Sequence, residues 1–316
     1  MRVALAGDTM LGRTVAEKLR RRHPQSLVDP ELAEITRGTD LFVLNLECCI
    51  SERGEPVEKT FNFRAPLAAV ETLLHLGVDC VTLANNHALD YGVDALLDTF
   101  EHLREAGIAY AGAGENVEQA RAPAVVGGLP IFAFADHEAS FSAERDRPGI
   151  AFADLAPGVP GWVREHARGA LVCPHWGPNM TPSPLPYVRE AARALREAGA
   201  ALVAGTSAHV FHGVEQNILY DLGDFLDDYA VDPRLRNDHG LLFLVELEPG
   251  GPRRIEAVPL KLEYAYTRLA HGSEAEWIRQ RFRRACSELG TDVLEEDGRL
   301  VVRPTHSTGG AYGPAG

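Results

Sequence analysis

The 316-residue chain predicts an α/β fold, with strands in the interior and helices around them. Short apolar runs alternate with amphipathic stretches of helical period along most of its length. Some runs, such as Asp40–Leu46 (DLFVLNL), hold so few polar residues that they read as strands buried on both faces. Polar residues able to bind metal stand directly after successive apolar runs, where α/β sheets place their ligand sites.

Taken in order, Arg2–Ala6 reads as a strand and Gly12–Arg22 as a helix. The strand Asp40–Leu46 follows, then a helix over Pro66–Leu76 stopped by Gly77, a residue suited to a helix end. Val78–Leu83 is a strand. Asp94–Ala106 is an amphipathic helix with Leu96, Leu97, Phe100 and Leu103 on one side and a stop at Gly107. Val125–Ala135, broken by Gly127-Gly128, reads as a hairpin. Gly169–Pro174 and Ala200–Ala204 are strands around a helix at Leu185–Ala198. Gly213–Tyr220, Gly240–Glu248 and Arg253–Tyr264 supply later strands. Cys49–Phe63 and Ser140–Pro160 read as loops. Ser273–Leu289 is an Arg-rich helix with Trp277, Ile278 and Phe282 on roughly one side, expected to pack on the main domain. A hairpin around Asp297-Gly298 follows. The expected organisation is a main domain over 1–265, a helix-and-hairpin extension over 266–304 and a disordered tail over 305–316.

Composition narrows the function classes. Lys and Arg total 31 against 45 Asp and Glu, a formal net charge of −14, which argues against nucleic acid or an anionic membrane as partner. A small or polymeric anionic substrate remains compatible, because a bound cation reverses the local field. No apolar run reaches the roughly 20 residues of a membrane span, and the opening MRVALAGDTMLG lacks the features of a signal peptide. A cytoplasmic protein is expected, and the five irregularly spaced cysteines read as reduced core thiols. Oligomeric state has no sequence signal. No G-x-S-x-G, Walker A or Rossmann G-x-G-x-x-G is present; Gly112-Ala113-Gly114 is followed by Val117 where the third Gly would stand.

The strand ends carry the chemistry. VALAGD ends at Asp8, FVLNLE at Asn45 and Glu47, VTLANNH at Asn85, Asn86 and His87, LVCPHWG near His175, and LVAGTSAH at His209. Gathered at one sheet edge, Asp8, Glu47, Asn86, His175 and His209 would place two carboxylates together, a costly arrangement without a cation. Carboxylate, amide and imidazole donors suit Mn, Fe or Zn. Singly, each residue has a plainer reading: Asp8 as a helix cap, Glu47 as a loop ion-pair partner, His175 and His209 as buried histidines with satisfied rings.

The segments GDTMLGR, NLE, FRAP, VTLANNHALDYG, AGIAYAGAGEN, HWG, HVFHGVE and YDLGDF occur in this order. With them, residues 1–247 resemble the CapA (poly-γ-glutamate capsule biosynthesis) family of the calcineurin-like metallophosphoesterase superfamily. The resemblance implies a four-layer αββα sandwich of metallophosphoesterase type and two divalent metal ions. It implies Asp8, Glu47, Asn86, His175 and His209 as metal ligands, with Glu47 bridging. It implies catalytic roles for His87, at the leaving group, and for Asn85. Arg64, in FRAP, and His212 are the candidate substrate-binding residues; a guanidinium fork suits phosphate or carboxylate. The pattern departs at Met10, where a second ligand His often stands, at Thr206 and Ser207, where the family has His, and at Asp224, where it has Asn. His137, His212 and Asp224 are candidates to replace the missing ligand. The expected function is a metal-dependent hydrolase, a phosphoesterase using a metal-bound water. The alternatives are a non-catalytic accessory protein of poly-γ-glutamate or capsule-type polymer synthesis, and a metal-dependent γ-glutamyl amide hydrolase.

Overall fold

The computed structural model describes residues 1–296 and 299–304. Arg2–Thr9, Leu41–Leu46, Cys80–Thr82 and Ala109–Ala111 lie parallel, side by side, in the first of two main sheets. On the other side of Arg2–Thr9 the sheet continues antiparallel through His239–Glu248, Gly251–Glu263, Arg299–Val302 and Leu294–Glu296. Asp224–Leu226 also pairs with the end of Arg2–Thr9, and Tyr266–Leu269 with Gly251–Glu263. The second sheet runs Val214–Glu215, Ile218–Leu219, Leu202–Ala204, Leu171–His175, Leu129–Ala135 and Ala124–Val126.

The two-residue period of strands decides how the sheets pack. Along the second sheet, Ile131, Ala133, Ala135, Leu171, Cys173, Leu202 and Ala204 join the large core shared with the first sheet. The alternating residues Phe132, Phe134, Val172 and Val203 enter a second core. That core is closed by Val163 and Ala167 of the helix Gly161–Ala167 and by Val188, Ala191, Ala192 and Leu195 of the helix Pro186–Glu197. The large core takes Val15 and Leu19 from Arg13–Arg21, Leu32 from Pro30–Arg37, Leu73 from Ala69–Leu76, and Leu96 and Phe100 from Gly92–Glu105. The α/β class is as expected.

Most of the expected elements recur with ends moved by one to three residues. Gly77 closes its helix at φ 73°, in the left-handed region. Gly127 and Gly128, both at positive φ, turn the antiparallel pair Ala124–Val126 and Leu129–Ala135. The stretch read as a loop from Cys49 begins with the strand Cys49–Ile50, paired with Arg64–Ala65. The second such stretch contains Gly149–Ile150, paired with Ala113–Gly114. The helices Pro30–Arg37, Val117–Arg121 and Gly161–Ala167 were not expected; each is short, with too few turns to show a period. In the helix Gly272–Ser287, Ile278 and Phe282 are fully buried and Trp277 packs half-buried on the large core. The expected turn residues Asp297-Gly298 and the tail 305–316 lie outside the described residues. All five cysteines are free and buried. Among the described residues no helix is long and apolar enough to cross a membrane.

Candidate metal centre

Asp8 sits where the first strand breaks register. Pairing with Leu41–Leu46 shifts between Ala6 and Asp8, which sets Asp8 opposite Asn45. Gly7, at the shift, has no room for a side chain, since an added Cβ would stand 1.8 Å from the Gly223 oxygen. That approach lets the Asp8 amide donate to the same oxygen at 2.9 Å, tying the segment around Gly223 to the strand end. Asn45 Nδ2 donates to Asp8 Oδ1 at 2.7 Å, and the Ser207 amide to Oδ2 at 3.2 Å. His209 Nδ1 stands 3.3 Å from Oδ2, and His175 Nδ1 3.7 Å from Oδ1.

Glu47, fully buried after the second strand, accepts from the Tyr229 hydroxyl through Oε2 at 3.1 Å. Its Oε1 lies 3.8 Å from His175 Nε2 and has no hydrogen-bond partner among the described residues. Ligand atoms of Asp8, Glu47 and His209 all fall within 4.8 Å of one another. His175 adjoins this group, with Nε2 3.0 Å from Asn86 Oδ1 and Nδ1 2.9 Å from Thr206 Oγ1. The five expected ligands are thus linked by short contacts. Two close carboxylates, two imidazoles and an amide, with one buried oxygen unpartnered, fit a divalent cation that takes mixed oxygen and nitrogen donors.

Charge follows from burial and neighbours. Burial, aided by the Asp8 charge, pushes the Glu47 carboxyl well above its ordinary range. Burial also pushes Asp8 upward, but the His209 hydrogen bond and the charges of His175 and His209 outweigh it and hold Asp8 low. Burial opposes the His209 charge, yet Asp224, Glu47 and Asp8 together raise that ring well above its ordinary value. Burial holds His175 well below it.

His87 follows the third strand. Its Nδ1 is 2.5 Å from Asp90 Oδ2, and its ring stacks on Phe63 at 3.9 Å. Burial lowers its proton affinity, outweighing the hydrogen bond and charge of Asp90. Asn85 is committed within the protein: Nδ2 donates to Asn45 Oδ1 at 3.1 Å and Leu46 O at 2.9 Å, and Oδ1 accepts from the His87 amide at 3.0 Å.

Neither Arg64 nor His212 touches the ligand group. Arg64 Nη1 donates to the carbonyls of Arg53 and Gly54 at 3.1 and 3.2 Å, and its guanidinium lies 4.1 Å from the Tyr91 ring centre. His212 Nε2 is bonded to Thr181 O at 2.8 Å, and burial lowers its pKa to about 4. The departures from the family pattern have definite places. Met10 Sδ accepts from the Gly12 amide at 3.0 Å. Thr206 fixes the His175 ring. Ser207, at φ 111°, points its hydroxyl to Gly177 O at 2.8 Å, with His137 Nε2 3.3 Å away. Asp224 Oδ1 is 2.8 Å from His209 Nδ1, and its Oδ2 is unpartnered among the described residues. The sequence reading names Asn45 at a strand end without giving it a role, and does not name Asp90 or Tyr229. Asn45 is a lone amide inside an apolar strand and Asp90 stands three residues after His87, so both left a signal; Tyr229 left none.

Fold and site together define an α/β protein with a buried carboxylate–histidine centre at its strand ends. The family described as "Bacterial capsule synthesis protein PGA_cap" matches residues 2–229, and the chain belongs to that family. It is 29% identical to "Probable polyglutamine synthesis accessory protein Rv0574c" of Mycobacterium tuberculosis (strain ATCC 25618 / H37Rv), covering 95% of this chain and 94% of that protein. It is 27% identical to "PGA biosynthesis protein CapA" of Bacillus subtilis (strain 168), covering 83% of this chain and 72% of that protein. It is 26% identical to "Capsule biosynthesis protein CapA" of Bacillus anthracis, covering 83% and 67%.

Proposed function

We propose that this chain is an accessory protein in the synthesis of an anionic poly-amino-acid of the poly-γ-glutamate kind, acting through a divalent-metal centre. Asp8, Glu47 and His209 would hold the ion, and Asn86 and His175 would offer further donors beside them. The observation that carries this reading is the approach of the first three ligand atoms to within 4.8 Å in a buried site. The names of the relatives support a part in polymer synthesis over a free-standing phosphoesterase. A bound divalent ion supplies Lewis acidity and lowers the pKa of water.

The chain's own residues do the positioning. Asn45 and the Ser207 amide orient Asp8, Asp224 orients His209, and Thr206 fixes the His175 ring. Hydrolysis of a phosphoester or a γ-glutamyl amide is the second reading, favoured by His87. With Nδ1 tied to Asp90 at 2.5 Å, a ring that donates from Nδ1 keeps the Nε2 lone pair to accept a proton. Elemental analysis of the purified protein is expected to find divalent metal that Glu47→Gln loses, and polymer yield in a producing strain lacking this protein is expected to return with wild type but not with Glu47→Gln. Full yield from a metal-free protein would remove the metal from this reading. Turnover in a panel of phosphoesters and γ-glutamyl peptides decides whether hydrolysis is part of the role.

A further inference from the structure

We propose that Arg13, with Phe61 and Phe63, is the subsite that grips the anionic group of the substrate, in the role the sequence suggested for Arg64. The anion-binding role stands on the geometry below; the choice of a carboxylate-bearing chain as its ligand rests on the function proposed above.

The centre is rich in carboxyl groups: Asp8, Glu47, Asp90, Asp224 and Asp227 are all buried there or beside it. An anionic substrate approaching it needs fixed positive charge as well as metal. Three cations stand near the His87–Phe63 stack. Lys59 Nζ is already bonded to Asn86 O and to Asp90 Oδ1. Arg64 is bonded to two carbonyls and stacked on Tyr91. Arg13 is different. Its Nε pairs with Asp228 Oδ1 at 3.4 Å, and its two Nη groups make no hydrogen bond among the described residues. Its side chain is 38% exposed.

Position favours Arg13 as well. Its guanidinium carbon lies 5.6 Å from the Phe61 ring centre and 5.9 Å from that of Phe63. Phe63 stacks on His87 at 3.9 Å and stands 5.8 Å from Tyr229, whose hydroxyl donates to Glu47 at 3.1 Å. The cation is therefore one aromatic ring away from both His87 and the Tyr229–Glu47 pair. Its backbone is held at φ 49°, a conformation that costs a non-glycine residue energy and persists where surrounding structure imposes it. Asp228 contributes to that hold, since its Oδ2 accepts from the Thr14 amide at 2.9 Å.

Phe61 supplies the second half of the recognition. It is 57% exposed, a large aromatic surface beside a cation with free donors. A guanidinium fork takes a carboxylate or a phosphate in two parallel hydrogen bonds. An adjoining apolar ring adds a surface for methylene groups. Together they suit a chain whose carboxylates are separated by a pair of methylenes and an amide, which is the chemistry of a γ-linked glutamate oligomer.

The test uses the full chain and two probes, tri-γ-glutamate and glycerol phosphate, with affinity read by calorimetry and metal content and melting temperature read in parallel. Arg13→Gln removes the charge, Arg13→Gly removes it while relaxing the positive φ, and Arg64→Gln is the comparison. Both Arg13 variants are expected to bind tri-γ-glutamate at least tenfold more weakly with unchanged metal content, while Arg64→Gln stays within twofold of wild type. Phe61→Ala is expected to weaken tri-γ-glutamate severalfold and leave glycerol phosphate unaffected. Arg13→Gly within twofold of wild type for every probe, or an equal loss in Arg64→Gln, overturns the proposal. Wild type binding neither probe also overturns it. Wild type that binds only glycerol phosphate, with that binding lost in both Arg13 variants, upholds Arg13 as the anion grip and overturns the poly-γ-glutamate reading instead.

Discussion

At the scale of single residues, the proposed centre would separate groups that hold a metal from groups that face a substrate. Asp224 belongs to the first kind. It stands 2.8 Å from His209 Nδ1, the arrangement in which a carboxylate fixes the ring of a metal-binding histidine. Asp224→Asn keeps a hydrogen-bonding oxygen but removes the charge, and metal affinity is expected to fall about 10- to 100-fold. Chelator competition checks this, and a titration superimposable on wild type would exclude Asp224 from the site. His87 belongs to the second kind. His87→Ala is expected to lower any hydrolytic turnover about 10²- to 10⁴-fold while bound metal stays near wild type; parallel loss of metal and turnover would contradict that role. Asp8, Glu47, His87, His175 and His209 stood out in the sequence because each follows an apolar run, where such a side chain is conspicuous; Asp90 did not. Thr206 stood out only as a departure from the family pattern, not as a partner of His175, and Tyr229 did not stand out, because a hydroxyl looks alike on a surface and in a buried site. Arg64 misled for a related reason: a guanidinium can satisfy itself on backbone carbonyls, and sequence does not show where those lie.

At the scale of elements, the register shift in Arg2–Thr9 builds the site. Gly7 allows the Gly223 oxygen to pass within 1.8 Å of where a Cβ would stand, and only that approach seats Asp8 opposite both Asn45 and Asp224. Gly7→Ala forces the two backbones apart and is expected to destabilise the protein by about 2–4 kcal/mol, with loss of metal, as overpacked or strained buried positions do. Urea unfolding with and without metal checks it, and an unchanged midpoint would mean that the strands accommodate the methyl group. Strands and longer helices could be read from apolar period because their cores enforce it. Helices such as Pro30–Arg37 span barely two turns, so their apolar residues are too few to reveal a repeat. The strand pair Cys49–Ile50 and Arg64–Ala65 is set by contacts distant in the chain, which local pattern does not carry.

At the scale of the molecule, buried histidines outside the centre make stability depend on acid. His212 is held down to about 4, chiefly by burial, with its Nδ1 unpartnered among the described residues. An unfolded histidine takes a proton near pH 6.5, so the unfolded state binds more protons below that value and stability falls between about pH 6.5 and 4. That single group is expected to cost roughly 3 kcal/mol of stability across the window. His212→Gln is expected to flatten the pH dependence of chemically induced unfolding over this range by a comparable amount; identical slopes in the two proteins would assign the acid sensitivity elsewhere.

The seam between Arg2–Thr9 and His239–Glu248 has a practical consequence. The family match ends at residue 229, and a fragment cut there would retain all five proposed metal donors. It would also strip the amide row of Arg2–Leu5 of its antiparallel neighbour, leaving a bare, apolar edge that invites other chains to add to it. Shortened versions that keep every proposed metal donor are therefore expected to clump on expression, and versions carried through Val302 to stay dispersed, with the later strands guarding against self-association.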